Sequence, residues 1–161
     1  MCDVDSSKGN AVAEEINAIF PGQAISLPGD VTDAKYIGEM IQSAAKFGDG
    51  EVHILVNNAG YTWDGAIHKM SDKQWDSIMT VHSTAVFKLL KEAAPYFRIA
   101  DGKQRAIVNI SSTSGTHGNF GQANYAAAKA SVIGLTKTIA KEWGPKVRMN
   151  SQVAHASKVT D

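Results

Sequence analysis

The sequence predicts an α/β fold, a parallel sheet covered by helices. Short apolar runs rich in Val, Ile and Leu alternate with stretches of helical periodicity, the pattern of strand–helix–strand units. The chain has 161 residues and is 43% hydrophobic, enough to enclose one core. Asp30-Val31, Asn57-Asn58-Ala59-Gly60 and Ser111-Ser112 lie at the carboxyl ends of the runs. All three are small or polar, as strand ends that face a flat ligand require.

Residues 6–19 read as a helix. Ala11, Ala13, Ile16 and Phe20 fall near helical spacing, Asp5 is placed to cap it and Pro21-Gly22 to stop it. Gln23–Leu27 is a short strand candidate. Asp33–Phe47 is a second helix, closed by Gly48-Asp49-Gly50, and Val52–Asn57 is a strand of the buried type. Ser71 and Gln74 fit a capping box opening one long helix that Pro95 ends. Its apolar face carries Trp75, Ile78, Met79, His82, Val86, Leu89, Leu90 and Ala93. Ala106–Ser111 is another buried strand, and Gly115–Gly121 reads as a turn-rich loop. Gln122–Trp143 is the strongest helix: Tyr125, Ala128, Val132, Leu135, Ile139 and Trp143 recur at three- and four-residue steps, and Gly144-Pro145 terminates it. Val147–Val153 is the last strand. No repeat or linker divides the chain, so 1–161 is expected to form a single domain.

Composition narrows the function. Lys plus Arg and Asp plus Glu number 16 each, for a net charge of zero. That balance argues against a nucleic-acid partner, whose binding rests on phosphate neutralisation, and against a polybasic membrane-surface protein. No apolar run approaches the ~20 residues that span a bilayer. Met1–Asp5 is acidic and lacks the layout of a secretory signal. The single cysteine, Cys2, leaves no intramolecular disulfide and no cysteine zinc site. The five histidines show no metal spacing, so no metal is expected, and a soluble intracellular domain is the default.

The first chemical candidates are Tyr125 and Lys129, at i and i+4 on one helix face. A phenol is a poor acid or base at neutral pH, and an ammonium close by favours its phenolate. A Y-x-x-x-K pair alone is weak evidence, but a strand ending in Ser111-Ser112 feeds the loop before it. A strand-end hydroxyl and a helix-borne Tyr/Lys pair can converge on one carbonyl. Gly115, Gly118 and Gly121 form G-x-x-G-x-x-G, which is neither the dinucleotide nor the phosphate-loop pattern. Ser112 has no glycine two residues before it, which rules out a hydrolase elbow. On general grounds His82, on an apolar face, reads as a core histidine.

In order and spacing, Asp30-Val31, NNAG at 57–60, Ser112 and Tyr125-x-x-x-Lys129 resemble the short-chain dehydrogenase/reductase family. Twelve residues separate Ser112 from Tyr125, as the family pattern has. Gly121–Lys129 is similar to the 3-oxoacyl-[acyl-carrier-protein] reductase branch. The resemblance implies a Rossmann-like, doubly wound parallel sheet and hydride transfer between NAD(P) and a carbonyl or alcohol. Tyr125 would be the general acid/base. Lys129 would favour its phenolate and hold the nicotinamide ribose, and Ser112 would hydrogen-bond the substrate oxygen. Asn58, Ala59 and Gly60 would line the cofactor crevice, and Asp30 and Val31 would meet the adenine. Asp3 would accept hydrogen bonds from the adenosine ribose; a carboxylate there repels a 2′-phosphate, favouring NAD over NADP. A homo-oligomer through the helices near 71–97 and 122–143 also follows, and a cytoplasmic location is expected, with a mitochondrial one left open.

Three departures qualify the resemblance. His82 stands where the family has a helix asparagine that supports a water relay to the lysine, so His82 joins the catalytic candidates. The family's first strand, glycine-rich phosphate loop and first helix have no counterpart before a strand stub at Cys2–Val4. Ser151–Asp161 matches poorly. The expectation is an incomplete sheet, truncated at both ends, in which the strands at 52–57 and 106–111 still pair. The second reading is an inactive remnant acting as an interaction module.

Overall fold

A computed structural model describes residues 1–154. Helix α1 (Ser6–Ile19) begins at Asp5, whose carboxylate accepts the backbone N–H of Ser7 and Lys8. These bonds, that of the Ser7 hydroxyl first, lower the Asp5 pKa to about 2. Helix α2 (Ala34–Phe47) is capped the same way by Asp33. Strand β1 (Ile54–Asn57) follows. A single 3₁₀ turn (Ile67–Lys69) leads to α3 (Asp72–Met79), opened by the Ser71/Gln74 capping box. A π turn (Thr80–Thr84) joins α3 to α4 (Ala85–Phe97). Strand β2 (Arg105–Ser112) runs into a one-turn helix α5 (Thr113–His117), then α6 (Ala123–Trp143) and β3 (Val147–Ala154).

The sheet is three-stranded and parallel, in the order β1-β2-β3. Ile54 pairs with Ala106 and Asn57 with Asn109; Arg105 pairs with Val147 and Asn109 with Ser151. The pairing of 52–57 with 106–111 is as expected. Helix α6 packs on β2 and β3, and α4 lies between α6 and α2. The core cluster joins Ile37 and Ile41 of α2, Leu89, Leu90, Ala93 and Phe97 of α4, Ile107 of β2, Val132 of α6 and Val147 of β3. Among the described residues no helix is long and apolar enough to cross a membrane.

Four expectations need correction. The candidate strand 23–27 adds nothing to the sheet. It lies extended beside residues 1–3, bonded through Met1 N to Ile25 O and Leu27 N to Met1 O, both 2.9 Å. β1 is buried on one side only: Ile54 and Val56 are 66% and 55% exposed, so its apolar run reflects two faces rather than two covered ones. The predicted single helix from 71 to Pro95 is interrupted at Thr80–Thr84, and Pro95 lies inside α4. Trp75, assigned to the apolar face, is 40% exposed, because the π turn shifts the helical phase between the two segments. The first three residues of the loop expected at 115–121 belong instead to α5, which the Ser112 hydroxyl caps.

Strand and helix are joined by buried amides. The Asn57 amide donates to Asn109 Oδ1 at 2.7 Å, the Asn109 amide to Thr136 Oγ1 at 2.8 Å, and the Thr136 hydroxyl to Val132 O at 2.7 Å. Asn109 is fully buried and Thr136 nearly so. A buried donor without an acceptor costs about 1–3 kcal/mol. Thr136→Val keeps the shape and strands the Asn109 amide, so urea unfolding should show a stability loss in that range. An unchanged midpoint would mean that the chain of amides does not tie β1 and β2 to α6.

Candidate active site

Helix α6 is fastened to the carboxyl end of β2 at the turn that carries Lys129. The Ser111 hydroxyl donates to Lys129 O at 2.9 Å, and Lys129 Nζ donates to Ile110 O at 2.6 Å. Gly115 permits the approach of α5: a Cβ there would lie 2.8 Å from the backbone of Lys129 and Ala130. Lys129 is 4% exposed. Burial, which penalises the charged form, lowers its pKa from 10.5 to about 8. Its ammonium stands 5.6 Å from the centre of the Tyr125 ring, one turn earlier on α6.

Ser112 ends β2 and caps α5, its Oγ accepting from Ser114 N at 3.2 Å. One lone pair is thus engaged, and the hydroxyl proton remains to be donated. Tyr125 is half-buried. The Asn124 side chain fixes its place: the amide donates to Trp63 O and Gln74 O, both at 3.1 Å, and the carbonyl accepts from Tyr125 N at 2.7 Å. Gln122 reaches Asp64 and Ser114, and Gly65 N donates to Gly121 O at 2.7 Å. The loop after β1 is therefore pinned to the start of α6.

That loop holds the rest of the set. Asn58, Ala59 and Gly60 are exposed at the carboxyl end of β1. His82 is 2% exposed and meets Tyr125 edge-on, ring centres 5.0 Å apart. Burial lowers the His82 pKa from 6.5 to about 4; the Lys129 charge adds to this and a hydrogen bond to Tyr61 opposes it. Ser112, Tyr125, Lys129, His82 and residues 58–60 thus gather around the ends of β1 and β2. Asp3 and Asp30 form a separate, exposed neighbourhood, joined by Gly29 N donating to Asp3 O at 2.9 Å. The Asp3 carboxylate accepts from Asp5 N and that of Asp30 from Thr32 N, each at 2.8 Å. Val31 is 8% exposed and its side chain belongs to the core. Among the described residues no cluster of His, Cys, Asp and Glu could hold a metal.

Sequence reasoning singled out Ser111 and Gly115 without their part in holding the Lys129 turn, and missed Asn124 and the pair Asn109/Thr136. Asn109 carried a signal, a polar residue inside an apolar strand, since buried polar groups need partners. Asn124 carried none.

The family model for short chain dehydrogenases matches residues 1–160, past Asn150, where the likeness was expected to fade; residues 155–161 lie outside the described structure. The chain is 46% identical over 136 residues to the peroxisomal hydratase-dehydrogenase-epimerase of Saccharomyces cerevisiae, covering 82% of this chain and 14% of that one. It is 38% identical over 153 residues to the 3-oxoacyl-[acyl-carrier-protein] reductase of Thermotoga maritima, covering 92% and 59% respectively. The crystal structure of a 3-ketoacyl-(acyl-carrier-protein) reductase from Brucella melitensis complexed with NADH superimposes with a TM-score of 0.89 at 28% identity, over 98% of this chain and 64% of that one. The chain thus spans less than two thirds of the length of these relatives.

The lowered Lys129 pKa has a signed consequence. Between about 8 and 10.5 the unfolded chain binds more protons at this lysine than the folded one, so stability gained from its deprotonation rises with pH across that window. Lys129→Met removes the effect. Denaturant unfolding at several pH values should show wild type gaining on the variant from pH 8 upward; a constant difference would mean that the ammonium is not held out of water.

Proposed function

The chain belongs to the short-chain dehydrogenase family, and we propose that its site moves hydride between a nicotinamide cofactor and a small carbonyl or alcohol. The observation that carries this reading is the buried Lys129 ammonium fixed beside Tyr125 and against the strand end that presents Ser112.

The donor set fits the cofactor. Asn58, Ala59 and Gly60 offer exposed backbone at a strand end, and Lys129 brings a cation to the same place. Asp3 offers an exposed carboxylate for ribose hydroxyls and repels a 2′-phosphate, so NAD is the preferred cofactor and NADP the weaker one. When bound, the nicotinamide supplies or accepts the hydride. The chain's own residues manage the oxygen and the proton. Ser112 donates its free hydroxyl proton to the substrate oxygen and stabilises the charge that develops there. Tyr125 gives its phenolic proton to that oxygen in reduction and takes it back in oxidation. The Lys129 ammonium stabilises the negative charge left on the phenolic oxygen. Burial of Ser112 and Lys129 keeps both in one geometry and limits competition from water.

A homo-oligomer through the helical segments near 71–97 and 122–143 belongs to the same reading. Phe87 on α4, 52% exposed, and Trp75 on α3 supply apolar surface for it.

Tyr125→Phe keeps the ring and removes the proton. In assays of NADH with ketones and 3-oxoacyl thioesters, turnover should fall by roughly a thousandfold, with NADH affinity within about threefold of wild type. Wild-type turnover in this variant would refute the acid/base role. Asp3→Ala should narrow the preference for NAD over NADP in kcat/KM. An unchanged ratio would remove Asp3 from the ribose site.

A further inference from the structure

The Asp3 and Asp30 carboxylates stand on two extended segments that lie outside the three-stranded sheet. Residues 1–3 and 25–29 run side by side in parallel, through Met1 N to Ile25 O, Leu27 N to Met1 O and Gly29 N to Asp3 O, each 2.9 Å. This pairing registers the segments with each other; further contacts must place them on the body of the domain. At the far end Asn17 of α1 holds Ala24 by both groups of its amide, 2.9 Å each. At the end that carries the carboxylates the tie is Tyr36, in the first turn of α2. Its hydroxyl donates to Leu27 O, and Cys2 lies beside the same hydroxyl. Its ring fills the space above Gly29, where a Cβ would overlap the ring carbons. The backbone at Gly29 is not left-handed, so space alone excludes a side chain there. Tyr36 and Cys2 both pack against the core cluster of α2 and α4.

Burial first, and the neighbouring Cys2 second, raise the pKa of the Tyr36 phenol, so the ring keeps the proton that it donates. One oxygen of Asp3 accepts from Asp5 N and one of Asp30 from Thr32 N, 2.8 Å each. The two carboxylates therefore follow the backbone that carries them, and Tyr36 grips that backbone at the residue before each: Cys2 before Asp3, Gly29 before Asp30. We propose that Tyr36 is a positioning residue for the adenosine half of the cofactor. By seating Cys2, Leu27 and Gly29 against α2 it sets where the Asp3 and Asp30 carboxylates stand, and it takes no part in the chemistry at Tyr125. The identity of the ligand rests on the oxidoreductase reading above; the seating of the two segments does not.

The test compares wild type with Tyr36→Phe, which keeps the ring and removes the hydroxyl, and with Gly29→Ala, whose methyl group displaces the ring. Without cofactor, hydrogen exchange at the Leu27 and Gly29 N–H groups should quicken by roughly tenfold in both variants, with no change at Ala106 N–H of β2. AMP, titrated by calorimetry, should bind roughly fivefold more weakly to the variants than to wild type. In turnover with NADH the loss should fall on KM, with kcat within about twofold. Turnover with reduced nicotinamide mononucleotide, which lacks the adenosine, should be the same in all three proteins. Equal AMP affinity in wild type and both variants, or a wild type that binds no AMP, would overturn the proposal. So would exchange that quickens equally in β2, the mark of a group that serves stability alone. Should Gly29→Ala fail to fold, Tyr36→Phe decides. A wild type without turnover would count against the oxidoreductase reading, and AMP binding with the exchange rates would then decide the role of Tyr36.

Discussion

One buried ammonium sets the terms for this fold. Lys129 lies almost wholly out of water, and among the described residues its ammonium has one hydrogen-bond acceptor, Ile110 O. Such burial is costly, and it persists because the surrounding structure determines the geometry. The Ser111 hydroxyl holds the Lys129 carbonyl, and Gly115 lets α5 close on the same turn. The Asn57–Asn109–Thr136 chain fixes α6 to both strands further along the helix. Ser112 and Tyr125 take their positions from these constraints. The lysine is therefore a poor stabiliser, and under the proposed function its charge serves the phenolic oxygen of Tyr125 instead, a trade expected where function comes at the expense of stability.

The same trade shows at His82. A histidine on an apolar helix face is ordinarily read as core, and it is buried here as a core residue would be. What separates it from one is the set of neighbours: the Tyr61 backbone, the Gly60 Cα and the Tyr125 ring. Gly60, which would pass for an ordinary turn glycine, is needed because the imidazole occupies the space a side chain would fill.

Much of this was legible in the sequence. Helices α1, α2 and α6 fall within a residue or two of their periodicity, because the cap at Asp5 and the stops at Pro21, Gly48 and Gly144 are local signals. Ser112, Tyr125 and Lys129 were visible as residue types at the right spacing. The misses share a different physics. The π turn has no local signature; the extra residue it absorbs is settled by packing against α6. The exposure of Ile54 and Val56 depends on what covers the sheet, which an apolar run does not state. Residues 23–27 have strand composition but bond to residues 1–3, a pairing between segments far apart in the chain. Asn124 is indistinguishable by composition from a surface asparagine, and its role appears only once the Trp63 carbonyl lies above it.

The most direct test of the site as a hydride-transfer centre is the fate of the hydrogen itself. The protein would be incubated with NADH deuterated at one C4 position, then in a second reaction at the other, together with a panel of ketones and 3-oxoacyl thioesters. Products would be read by mass spectrometry. Deuterium at the carbinol carbon from one C4 position only is the expected result, since a fixed Ser112/Tyr125/Lys129 constellation presents the carbonyl to a single face of the ring. Alcohol formed without deuterium from either position, or no alcohol from any member of the panel, would contradict it.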